Sequence, residues 1–171
     1  MIRKRVDLNS FLHSVSHLEE VAEDFLIENF NLTLDIPIRI SNRMSSTFGK
    51  FVLIRDRVTG ETKSKEIVIS SNLYNYHGYY KMIDTLKHEC IHYALYTLGR
   101  PYKDGQAYFE NTLKEHGVSS TGTHRYKGKA HLYTCNSCDN SFKQKRRFNT
   151  DKYVCSHCKG QLEYVKQVII K

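Results

Sequence analysis

The stretch that most constrains this chain is Thr85-Leu86-Lys87-His88-Glu89-Cys90-Ile91-His92-Tyr93-Ala94-Leu95-Tyr96-Thr97-Leu98-Gly99. Leu86, Cys90, Ala94 and Leu98 recur nearly every turn, with Ile83, Ile91 and Leu95 beside them. The pattern predicts a helix that is apolar around much of its girth and therefore central to a fold. His88 and His92 are one helical turn apart, so both imidazoles project the same way and can hold one zinc. Glu89 stands beside the first and can take a proton from a metal-bound water. A core helix also holds such side chains rigidly, as a preformed site requires.

The segments around this helix predict an α+β fold. Val6 to Asn29 repeats apolar residues at helical spacing and reads as a support helix. Ile36 to Ile40 reads as a short strand, with Pro37 favouring an edge or a strand start. Phe48 to Arg55 and Glu66 to Ser70 read as two strands of a hairpin whose turn lies near Thr59-Gly60. The expected result is a three-stranded sheet packed on helices. Ser71 to Gly78 is rich in aromatics and turn residues and leads into the central helix, which Gly99-Arg100-Pro101 stops. A second helix is predicted over Gln106 to His116, ended by Gly117. Val118 to Thr123 reads as a linker, giving a first domain over residues 1–122 and a second over 123–171.

A catalytic zinc takes three protein ligands and keeps an open position. After His92 the third ligand is not obvious: Asp104, Glu110, His116 and His124 are all candidates. Asp104 could equally cap the second helix or serve its turn with Gly105. Tyr102 and His77 are candidates to stabilise a developing oxyanion, and Cys90 is expected to be a small core residue.

The second domain is organised by Cys135-x2-Cys138 and Cys155-x2-Cys158. Paired short spacings favour a closed four-thiolate zinc site, which holds together a segment too short to fold by core burial alone. The formal net charge of +8 also resides here: Lys and Arg equal Asp and Glu at 15 each up to Thr123, whereas from His124 onward they stand at 11 against 3. Lys143, Lys145, Arg146 and Arg147, with Tyr126, Tyr133, Phe142, Phe148 and Tyr153 interleaved, form a candidate nucleic-acid surface. The alternatives are a solvated face for the charges and a small core for the rings. No apolar run approaches a membrane span and no secretory signal precedes the first helix, so a cytoplasmic location is expected.

With both motifs in place, the chain resembles the SprT family of zinc metalloprotease-like proteins, related to the Spartan proteases that digest proteins crosslinked to DNA. The likeness rests on the His88-Glu89-Cys90-Ile91-His92 helix, a second helix with Tyr108-Phe109, and a terminal ribbon with Tyr153-Val154-Cys155-Ser156-His157-Cys158-Lys159-Gly160. It implies a zincin-like fold, His88 and His92 as zinc ligands, Glu89 as general base and acid, and a structural zinc on the four cysteines. The family usually supplies a third histidine shortly before a phenylalanine that matches Phe109. None lies between His92 and His116, so Asp104 is the expected substitute and Gln106 the alternative by position. The expected function is zinc-dependent hydrolysis of protein or peptide substrates, including DNA-bound or DNA-crosslinked ones. The competing expectation is a nucleic-acid-binding adaptor with an inactive histidine site. Nothing in the sequence sets the oligomeric state.

Overall fold

The computed structural model describes residues 14–44, 47–120 and 126–171. Contacts divide the chain into two compact units, Met1–His124 and Arg125–Lys171.

The first unit is an α+β fold in which helices pack on a small mixed sheet. Helix α1 (Val15–Phe30) opens at Ser14, whose side chain accepts the His17 amide proton at 3.2 Å, and closes at Asn31 in the left-handed conformation. The part of the expected helix before Ser14 lies outside the described residues. Strands β1 (Ile38–Ser41), β2 (Gly49–Arg55) and β3 (Thr62–Ser70) are ordered β1-β3-β2, with β1 parallel and β2 antiparallel to β3. Pro37, which has no amide proton to give, sits just before the edge strand β1. The hairpin turn is tied by the Asp56 carboxylate, which accepts the amides of Val58 and Thr59 at 2.7 and 3.1 Å. Strand β3 starts at Thr62, earlier than its composition suggests, because pairing with β2 carries the polar Thr62, Lys63 and Ser64 into the ladder, with Lys65 passed over where the register shifts.

Ser71–His77, for all its turn residues, forms a short helix, α2. Leu73 at its centre is fully buried, and Gly78, at φ +88°, separates it from the central helix α3 (Tyr79–Thr97). Burial of Leu73 supplies stabilisation that local propensity does not. Helix α4 (Ala107–Glu115) follows. Leu18, Ala22 and Leu26 of α1, Ile67 and Ile69 of β3, Leu86, Cys90, Ile91 and Leu95 of α3, and Phe109 and Leu113 of α4 make one core. The central position expected of α3 is what the burial shows.

The second unit is an antiparallel sheet of β4 (Gly128–Cys135), β5 (Ser141–Gln144) and β6 (Leu162–Ile170), ordered β5-β4-β6. A short 3-10 helix, Thr150–Lys152, precedes the second cysteine pair. Its core is Cys135, Cys155 and Leu162, extended by the fully buried Tyr133. Among the described residues no helix is long and apolar enough to cross a membrane.

Candidate metal centres

His88 and His92 are buried on one stripe of α3, and each has its Nδ1 committed. His88 Nδ1 donates to the Ser119 carbonyl at 3.0 Å and His92 Nδ1 to the Tyr102 carbonyl at 2.5 Å. A carbonyl only accepts, so both Nδ1 atoms carry protons, and each ring in its neutral form presents an Nε2 lone pair. Those Nε2 atoms are 3.2 Å apart, and Asp104 Oδ1 lies 3.1 Å from one and 3.6 Å from the other. Three lone-pair atoms this close repel unless positive charge sits among them. A tetrahedral zinc with ligand distances of about 2.0–2.1 Å separates its ligands by about 3.3 Å, and the triangle has that size. Burial works against a proton in this role, since desolvation lowers the His92 pKa. The donor set therefore fits a metal, with two ligands fixed in the core and the third on a half-exposed turn.

Asp104 reaches the histidines from a turn that α4 holds. Gln106 Oε1 accepts the Lys103 amide at 2.8 Å, Glu110 Oε1 accepts the Gly105 amide at 2.9 Å, and Gly105 takes φ +79°. Gln106 stands at the N-cap position of α4, so the capping role considered for Asp104 is not what the fold uses. Nor is Gln106 a free ligand, because its side-chain oxygen is spent on the turn. Phe109 stacks on the His92 ring at 4.2 Å and meets the His88 ring edge-on at 5.3 Å. His116 instead packs among Phe25, Phe30 and Asn29, and His124 lies outside the described residues.

Glu89 is buried behind β2. A Cβ added at Gly49 would come within 2.5 Å of Glu89 Oε1, so only glycine lets the strand pass the carboxylate this closely. Desolvation raises the Glu89 pKa to about 8 against the Phe51 amide, which lowers it, and the nearby Asp104 charge adds to the rise. Tyr102 contributes its carbonyl to His92 while its ring meets Tyr96, and the His77 ring packs on Phe48. Cys90 is fully buried, and burial pushes its thiol pKa up, as expected of a core residue.

Sequence reasoning missed Gly49, Phe109 as a packing partner, and the segment after α4. Val118 and Ser119, read as linker, belong to this centre: Val118 is buried and the Ser119 carbonyl holds His88. A glycine inside the strand predicted over Phe48 to Arg55 was the one available signal for Gly49, since such a residue marks a close approach.

The second cluster is built from two matching knuckles. Cys135 and Cys155 accept the Asp139 and Lys159 amides through their carbonyls at 3.0 and 2.9 Å, and Asp139 and Lys159 both take positive φ. The turns aim all four sulfurs at one point, with Cys135 to Cys158 at 3.4 Å and Cys138 to Cys155 at 3.8 Å. These are free thiols, not disulfides, and zinc–sulfur distances of about 2.3 Å give a tetrahedral edge of about 3.8 Å. Backbone amides of Cys158 and His157 lower the Cys155 pKa to about 6, which favours the thiolate a metal needs, whereas at Cys138 the lowering by the Asn140 amide is outweighed by the neighbouring sulfurs, which raise the pKa in the absence of a cation. The two clusters are geometrically consistent with one catalytic-type and one structural zinc site.

Lys143, Lys145, Arg146 and Arg147 are exposed. Lys145 lies 4.4 Å over the Tyr126 ring and Arg147 4.4 Å over the Tyr164 ring. Tyr133, Phe142 and Phe148 stack on one another, so these rings follow the small-core alternative; Tyr153 is exposed.

The SprT-like family model matches residues 15–115. The "Protein SprT-like" of Bacillus cereus is 25% identical over 154 residues, covering 88% of this chain and 95% of that protein. Its namesake in Staphylococcus carnosus is 28% identical over 154 residues, covering 88% of this chain and 96% of that protein. No solved structure matches the chain.

Proposed function

The chain belongs to the SprT-like family, and on that premise we propose that it is a zinc-dependent metallopeptidase with a zincin-like first domain. His88, His92 and Asp104 hold the catalytic-type zinc, and Cys135, Cys138, Cys155 and Cys158 a structural one. The observation that carries the reading is the triangle of His88 Nε2, His92 Nε2 and Asp104 Oδ1, whose lone pairs converge with both ring protons turned away. Zinc in this position supplies a Lewis acid for a scissile carbonyl and for an attacking water.

Glu89 is the general base and acid. It takes the proton of the attacking water and delivers it to the leaving nitrogen as the peptide bond breaks. Its burial beside Gly49 keeps bulk water from competing for that proton. The carbonyls of Ser119 and Tyr102 keep each imidazole in one tautomer and orientation. Among the described residues β2 pairs with β3 alone, and beyond the Phe51 amide that Glu89 takes, its remaining edge groups are those an extended protein segment would pair with. The substrate class is protein or peptide, including DNA-bound or DNA-crosslinked protein, with Lys143, Lys145, Arg146 and Arg147 neutralising phosphates from the ribbon domain over residues 123–171.

The test is Glu89→Gln in the fully zinc-loaded protein, assayed on proteins bound or crosslinked to DNA. Two zincs retained with turnover reduced about 10²-fold or more is expected. Unchanged turnover would sink the role of Glu89, and absence of turnover in the loaded wild type would favour the competing reading, an adaptor that binds nucleic acid through the ribbon.

A further inference from the structure

The residues after α4 are as closely tied to the histidine centre as the ligands themselves. Gly117 ends α4 at φ +63°, and the Val118 amide bonds back to the Leu113 carbonyl at 2.9 Å. This reversal buries Val118 and lays Ser119 along α3. The Ser119 backbone then clips onto two residues one turn apart: its amide donates to Asp84 Oδ1 at 3.0 Å, and its carbonyl accepts from His88 at 3.0 Å. Lys81 secures the other Asp84 oxygen at 2.7 Å. Glu110 stitches the opposite side, accepting the Gly105 amide next to Asp104 at 2.9 Å and a hydrogen bond from the Ser120 side chain.

We infer that Asp84 and Glu110 are positioning residues for the metal centre, acting through the Val118–Ser120 segment and the Asp104 turn. The inference rests on the His88, His92 and Asp104 reading given above. Neither carboxylate is assigned as a ligand. Asp84 fixes the carbonyl that sets the His88 tautomer, and Glu110 fixes the turn that brings up the one half-exposed ligand. Partners of this kind typically alter metal affinity 10- to 100-fold. The arrangement also makes the start of the connection to the second unit part of the first unit's site.

The experiment follows zinc release to a chelator from the full chain loaded with two equivalents. The histidine-centre phase is identified by its absence in His88→Ala/His92→Ala, and the cysteine-centre phase is the internal control. Asp84→Ala and Glu110→Ala are expected to accelerate the histidine-centre phase about 10- to 100-fold and leave the other unchanged. Asp84→Asn and Glu110→Gln keep a carbonyl acceptor and are expected to recover most of the loss. Amide variants as fast as the alanine variants would show an effect of charge rather than positioning and overturn the inference, as would alanine variants that release like wild type. Nitrogen NMR of the metal-free chain gives a second readout, in which Asp84→Ala should lose the single Nδ1–H tautomer of His88; its retention would count against Asp84. Only one zinc bound in wild type would instead overturn the underlying metal reading.

Discussion

The two candidate metal-coordinating clusters of this chain are assembled in opposite ways. The cysteine centre takes its four ligands from two copies of one local turn, and its geometry is largely written in each Cys-x2-Cys knuckle. The histidine cluster draws two candidate ligands from one helix and a third from a turn twelve residues beyond His92, and the supports of that turn come from α4 and from the segment after it. The first gathers four sulfurs on two turns, as a closed structural site does, whereas the second combines two buried imidazoles with a half-exposed carboxylate. Local construction yields stability independent of the surroundings. Distributed construction lets the surroundings tune the chemistry.

The sharpest way to break the contrast is to remove a cysteine. Cys155→Ser is expected to unfold the second unit while leaving the first folded, because structural zinc binding of about 10–16 kcal/mol is folding free energy for so small a core. Loss of the Tyr133 and Phe148 ring-current shifts in NMR, with the α3 resonances unchanged, would show it. Strong chelation should do the same to the second unit. At the histidine centre it should remove activity without unfolding, because Leu86, Ile91 and Phe109 hold α3 and α4 together without metal.

Phe109→Ala comes next, at about 3–5 kcal/mol of first-unit stability by denaturant melting. It should also weaken zinc binding, since the ring packs on both imidazoles. A conservative Phe109→Leu that kept wild-type zinc affinity would assign the ring to the core alone. Gly49→Ala is expected to cost about 1–3 kcal/mol and to lower turnover by displacing Glu89, because the new methyl has no room beside the carboxylate. Normal turnover in that variant would mean that Glu89 can work from a second position.

Glu89 adds a pH test confined to the metal-free protein. Its folded pKa is raised to about 8, from an ordinary value near 4.3. The associated stability is fully present below about pH 4.3 and is lost as pH rises through about 8. Glu89→Gln should flatten that decline in melting temperature, and an unaltered decline would place its origin elsewhere. The smallest effects belong to the basic ribbon surface. Lys145→Ala or Arg146→Ala should leave both zincs and the melting temperature unchanged and reduce the salt dependence of nucleic-acid binding by about one contact each.

Much of this was legible in the residues. The period of Leu86, Cys90, Ala94 and Leu98 placed α3 in the core, and the apolar strands and Gly117 marked the sheet and the end of α4. Ser71–His77 was not legible as a helix, because its stability comes from burying Leu73 rather than from its own composition. Val118-Ser119 looked like linker for a related reason: a serine whose backbone does the work leaves no side-chain signature.

The sequence by itself determined the ligand types and their local spacing, since i,i+4 histidines and Cys-x2-Cys pairs are geometric statements within one helical turn or one knuckle. Only the tertiary structure decided between Asp104 as a cap and Asp104 beside the histidines, and only it brought Gly49, Asp84, Glu110 and Ser119 to the same centre. The physical reason is range. Residues joined by local backbone geometry declare themselves in sequence, while those joined by packing across a core are fixed only when the whole core closes.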